Sequence, residues 1–191
     1  MGALARQEKI TDIIKGCKRG KRKSQEALFR LFADKMFGVC RYYTKDYTEA
    51  EDILHDGFLK VFDKISKFRE EGSLEGWIRR IMINTALERI RRNHHMYSLA
   101  EEQADNIPEE TVPVESQITE NELMEMVQEL TPQYRLVFNL YAIEGYSHKE
   151  ISTMAGISEG TSKSNLARAR VILQKKIMQR TENEVSRKLS S

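Results

Sequence analysis

At 191 residues the chain has room for one domain or two small ones, and its 40% hydrophobic share supports a modest core. No run approaches the roughly 18–20 apolar residues of a spanning helix, and the first residues lack the apolar stretch of a signal peptide. With Cys17 and Cys40 as its two cysteines the chain has neither a disulfide framework nor a CxxC pair, so a reducing, cytoplasmic setting is expected. Three prolines and few β-branched runs point to an all-α fold.

The net charge of +2 conceals segregation. Residues 1–23 carry eight Lys/Arg and two acids, residues 93–134 ten acids and no Lys or Arg, and residues 161–181 six Lys/Arg and no acid. Two basic stretches around an acidic one suggest two surfaces for one nucleic acid. The plainer reading is a solvated N-terminal arm and a solvated last helix.

Helical periodicity starts with Ala27, Leu28, Leu31, Phe32, Met36, Val39 and Tyr43, which predicts a helix over 26–43. Ile53, Leu54, Phe58, Val61, Phe62, Ile65 and Phe68 predict a second over 49–68. A polar break at 68–73 precedes a third helix over 74–92, with Trp77, Ile78, Ile81, Met82 and Ile90 on its apolar side. These make one helical domain, 1–95. Residues 96–117 are acidic, contain Pro108 and Pro113 and lack an apolar period, which predicts a flexible, extended linker. A second helical domain spans 118–181. Its start signals are the capping boxes Thr119…Glu122 and Ser147…Glu150, and Thr131-Pro132 as N-cap and first helical position. The polar tail 182–191 is expected to fray. The predicted fold is thus all-α, two small helical domains joined by a flexible acidic linker.

Residues 147–174 are the most informative. A short helix, 148–155, is followed by Gly156-Ile157-Ser158: glycine for a sharp turn, Ile157 between the helices and Ser158 as cap of a longer helix. This is the pattern of a helix-turn-helix. Ser162, Leu166, Ala169, Leu173 and Ile177 share its inner face. Gly160, Ser164, Ala167, Arg168 and Val171 lie opposite, with Lys163 on the shoulder. Small side chains there let a helix enter the major groove, Arg168 has the donors to read a guanine, and Lys163, Arg170, Lys175 and Lys176 suit phosphates.

Several stretches resemble one family. Ile157-Ser158-Glu159-Gly160-Thr161-Ser162-Lys163-Ser164-Asn165-Leu166-Ala167-Arg168 is similar to the recognition helix of extracytoplasmic-function (ECF) sigma factors, of the sigma-70 family. Leu130-Thr131-Pro132-Gln133-Tyr134-Arg135 resembles the start of the same domain. Ala50-Glu51-Asp52-Ile53-Leu54-His55-Asp56-Gly57-Phe58-Leu59-Lys60 resembles its polymerase-binding helix, and Trp77-Ile78-Arg79-Arg80-Ile81 through Asn84, with Arg91-Arg92 beyond, its promoter-melting helix. Departures are His55-Asp56 where Gln-Glu is expected, Ser162 where Val is common, and Asn165 where Arg is common, the last expected to alter a promoter contact.

The resemblance implies a transcription initiation factor, not an enzyme. Asp52, His55, Asp56 and Lys60 would dock on core RNA polymerase. Trp77, Arg80, Asn84, Arg91 and Arg92 would read the minus-ten element and assist melting, an unstacked base lodging in the loop 69–76. Lys163, Ser164, Ala167, Arg168 and Arg170 would read the minus-thirty-five element. The partners implied are core polymerase, promoter DNA and an anti-sigma factor, often membrane-anchored, with no cofactor, metal or small-molecule substrate. Two other readings compete: a free-standing dimeric helix-turn-helix regulator, and a metal-dependent hydrolase using Glu51, Asp52, His55 and Asp56.

Overall fold

The computed structural model describes residues 3–97 and 118–189. Every regular element among them is helical, and they fall into two compact units, Met1–Arg89 and Ile90–Ser191.

In the first unit, α1 (Ala3–Lys18) and α2 (Arg22–Tyr43) form a hairpin. Its turn is a Schellman motif: Lys21 N–H donates to the Gly16 carbonyl at 3.0 Å and Gly20 N–H to that of Cys17 at 2.9 Å. Gly20 takes φ +70°, and a Cβ on Gly16 would stand 2.0 Å from the Ser24 hydroxyl. The solvated-arm reading of the N-terminus is therefore corrected, because Ile14 and Cys17 of α1 are buried against the rest of the unit. Burial raises the Cys17 thiol pKa and pushes Cys40 up to about 12, so neither is a ready nucleophile.

α3 (Tyr47–Lys64) starts where the Asp46 carboxylate accepts the Glu49 N–H at 2.7 Å, and ends in a 3₁₀ turn, Ile65–Lys67. α4 (Leu74–Tyr97) crosses it. The two approach closely at Gly57, where a Cβ would lie 2.2 Å from Met82 Sδ. Leu28, Ile53, Val61, Ile78, Met82 and Leu87 are among the residues that fill the shared core. α4 runs past the expected boundary at 95 and takes up the first two positions of the expected linker; the rest of that linker lies outside the described residues.

In the second unit, α5 (Glu120–Gln128) and α6 (Pro132–Phe138, continued by a π turn over Asn139–Ile143) precede α7 (His148–Ala155) and α8 (Glu159–Leu189). Both capping boxes form, whereas Thr131 sits at its N-cap without a side-chain hydrogen bond. Met126, Val127, Leu130, Ala169 and Leu173 form the core, and the pairs Glu122–Arg180 and Glu129–Lys176 clip α5 to α8. The buried Arg135 guanidinium donates to the Gln128 carbonyl at 2.8 Å. The tail expected to fray is helical to Leu189.

Candidate nucleic-acid interface

Gly156 ends α7 in the left-handed region, φ 71°, which lets the chain turn sharply into α8. Ser152 Oγ donates to the Ile157 carbonyl at 2.6 Å, and Ser158 Oγ accepts the Thr161 N–H at 2.9 Å to start α8. The expected turn is built as the sequence suggests.

On α8 the exposed face is Gly160, Lys163 and Arg170, with half-buried Ser164 and Ala167 between them. Ser162, Leu166, Ala169 and Leu173 are buried as expected. Two positions differ. Asn165 is 5% exposed, so the side chain expected to alter a promoter contact faces the core instead. Arg168 is half-buried and donates to the Tyr134 hydroxyl on α6 at 3.2 Å. At 100° per residue, position 168 lies on the flank of the arc that Lys163, Ala167 and Arg170 share. Arg170, exposed, carries its guanidinium 5.7 Å from the centroid of the Tyr141 ring.

Tyr141 also stacks on His148, with centroids 4.7 Å apart and planes at 22°, and His148 Nδ1 shares a 2.9 Å hydrogen bond with the buried Ser162 hydroxyl. Desolvation lowers the His148 pKa, Lys163 and Arg170 lower it further, and Glu159 opposes them. His148 thus joins the π turn, α7 and α8. The composition of this trio carried no motif, and the sequence reading missed it.

On α4, Arg80, Asn84 and Arg91 are exposed and Trp77 is half-buried. These four fall within an arc of about 60°, with Arg92 exposed at its edge. Trp77 is neither core nor free: its ring lies 5.3 Å from that of buried Phe68. α4 begins at Leu74, as the periodicity predicted, so the last three positions of the loop 69–76 form its first turn, where Ser73 Oγ accepts the Gly76 N–H at 3.3 Å. Within that loop Glu70 has φ 61°.

On α3, Asp52, His55 and Asp56 are exposed and Lys60 half-buried. Asp52 pairs with Arg89 at 2.7 Å and Lys60 with Glu88 at 2.6 Å, so both also brace α4. His55 stacks on Phe29, with centroids 6.5 Å apart. In the middle of this face stands Leu59, 68% exposed, which the sequence reading passed over. Its register with 52, 55, 56 and 63 on one face was the available signal. Among the described residues no group of three His, Cys, Asp or Glu is placed to hold a metal, and no helix is long and apolar enough to cross a membrane.

A helix-turn-helix with a basic, small-residue outer face defines a DNA-binding protein of the transcriptional kind. Residues 28–95 match Sigma-70 region 2 and residues 120–173 match Sigma-70, region 4, in that order and over nearly two thirds of the chain. The chain belongs to the sigma-70 family. It is 30% identical over 153 residues to the ECF RNA polymerase sigma factor SigE of Mycolicibacterium smegmatis, covering 77% of this chain and 59% of that protein. It is 27% identical over 177 residues to the ECF RNA polymerase sigma factor SigW of Bacillus subtilis, covering 86% of this chain and 94% of that one. Among solved structures it is similar to the sigma factor RpoE of Bartonella quintana, solved with the anti-sigma factor NepR, at 20% identity and a TM-score of 0.47, covering 78% of this chain and 94% of that chain.

Proposed function

We propose that this protein is a transcription initiation factor of the ECF type. It binds core RNA polymerase in the cytoplasm, directs it to a two-block promoter and helps to open the duplex. What carries the reading is that regions 2 and 4 of the sigma-70 family match in order, each on a unit that presents an exposed helix face suited to its partner.

Polymerase docks on the α3 face, where Asp52, His55 and Asp56 surround the exposed Leu59, an apolar anchor within a charged rim. The α4 arc of Trp77, Arg80, Asn84 and Arg91, with Arg92, meets the minus-ten element: the arginines neutralise phosphates, Asn84 offers donor and acceptor to base edges, and Trp77 offers a ring for stacking. The α8 face of Lys163, Ser164, Ala167 and Arg170 enters the major groove of the minus-thirty-five element. Arg168 serves that face from its flank through Tyr134. The protein performs no covalent step itself. An anti-sigma factor, membrane-anchored in this reading, would silence it by covering Leu59 and its neighbours.

Run-off transcription with purified core polymerase tests the proposal. New transcripts starting downstream of a shared two-block promoter are expected. Tight specific DNA binding by the protein alone, as a dimer and without transcripts, would instead favour a free-standing helix-turn-helix regulator.

A further inference from the structure

One strongly charged surface lies outside the three faces above. Between residues 15 and 23, six of nine residues are Lys or Arg and none is acidic. The stretch is structured: the Schellman turn and the tight Gly16–Ser24 approach hold the end of α1 against the start of α2. Lys15, Lys18, Arg19, Lys21, Arg22 and Lys23 are all exposed there. The next acid along the chain, Glu26, is engaged by Arg30 at 2.7 Å. Like charges packed on one turn repel each other, and a polyanion relieves that repulsion.

The position of the turn says which polyanion. Lys18 Nζ lies 3.0 Å from the Glu70 carboxylate, and Glu70 belongs to the loop immediately before α4. The basic turn therefore adjoins the loop that, as an initiation factor, receives an unstacked promoter base. A strand passing that loop meets the turn next. Among the described residues the exposed large hydrophobics are Leu31, Tyr47, Leu59 and Met178, and none lies in the turn. The turn thus lacks the apolar anchor expected of a membrane-inserting or protein-docking surface.

We infer that the α1–α2 turn is a phosphate-binding surface for the promoter strand beside the minus-ten loop, with Arg19, Lys21, Arg22 and Lys23 holding backbone phosphates without reading bases. Lys18 links this surface to the loop through Glu70. The inference rests on the initiation-factor reading.

The test uses holoenzyme and two forked promoter DNAs. In one, the unpaired strand ends at the minus-ten element; in the other, it continues into single-stranded flanks. The combined variant Arg19→Gln, Lys21→Gln, Arg22→Gln and Lys23→Gln is compared with wild type over a salt series. Four lost phosphate contacts should flatten the plot of log affinity against log salt by about 3 on the flanked DNA, and leave the trimmed DNA unchanged. A charge-retaining variant, Arg19→Lys with Arg22→Lys, should keep the wild-type slope, separating charge from folding. An unchanged slope for the Gln variant on flanked DNA overturns the inference. So does an unchanged slope accompanied by lost core binding or lost binding to phosphatidylserine vesicles, which would assign the turn to a protein or a lipid surface. If wild-type holoenzyme binds neither DNA, the initiation reading itself falls and takes this one with it, a result distinct from a wild type that binds and a variant that keeps its slope.

Discussion

The Arg168 guanidinium donates a 3.2 Å hydrogen bond to the Tyr134 hydroxyl, tying the recognition helix to α6. This contact sets Arg168 apart from Arg170, two residues on. Arg170 stands on the outward arc, and Arg168 lies on its flank, held to α6.

Arg170→Ala should flatten the preference at one base pair of the minus-thirty-five element, where a bidentate contact discriminates by about 1–3 kcal/mol. Arg168→Ala should weaken binding across all sequences with the preference kept, and Tyr134→Phe should reproduce it. Holoenzyme binding to a library of minus-thirty-five variants separates these outcomes. Loss of base preference in Arg168→Ala alone would make Arg168 a reader that leaves Tyr134 on binding.

Leu59→Asp removes an exposed apolar side chain, so stability should change by no more than about 0.5 kcal/mol. Binding to core polymerase should nevertheless fall steeply, because a carboxylate would replace the apolar centre of the docking face. Urea unfolding and core-binding titrations read the two effects separately. Retained core affinity would move the docking surface elsewhere.

Gly57→Ala places a methyl group against Met82 Sδ, at an ideal-geometry separation of 2.2 Å, where Met82 is fully buried. Overpacking of this kind costs about 1–3 kcal/mol. The same substitution with Met82→Ala should cost less than the sum of the two singles, since the residues touch. Additivity in a urea double-mutant cycle would mean that α3 and α4 do not meet at this point.

His148 supplies a pH dependence. Its folded pKa lies below the ordinary value of 6.5, chiefly through desolvation, so the unfolded chain binds the proton more readily. The stabilisation is present above the unfolded pKa and is lost as pH falls through the folded one. Protection factors of the α7 and α8 amides, which remove the intrinsic pH dependence of exchange, should therefore fall as pH drops below 6.5, with the Tyr141 stack and the Ser162 bond weakening together. His148→Gln should remove most of that fall. An equal loss of protection in the variant would assign the effect to other groups.

Much of this molecule was legible in the sequence because its local signals agree with its fold. The capping boxes at Thr119 and Ser147, the left-handed glycine at 156 and the apolar period of α2, α3 and α8 each encode a contact within a few residues. The missed first helix had a signal as well: Ile10, Ile13, Ile14 and Cys17 recur at helical spacing, but the dense Lys/Arg around them read as a solvated arm. The exposed Leu59 had the register of its neighbours.

Other features had no local signal. Whether Arg168 faces the groove or α6 depends on where the Tyr134 hydroxyl arrives, thirty-four positions away in the chain. Whether Asn165 is read or buried depends on the angle at which α8 packs. The pairing of Lys18 with Glu70, which sets the basic turn beside the loop before α4, spans fifty-two positions. By itself the sequence determined the helices, their caps and the family to which they belong, since periodicity and capping act over one or two turns. Tertiary structure alone decided which polar side chains stay exposed and which brace a neighbouring helix, because a side chain's partner is set by distance in space, and residues far apart in the chain meet only once the helices have packed.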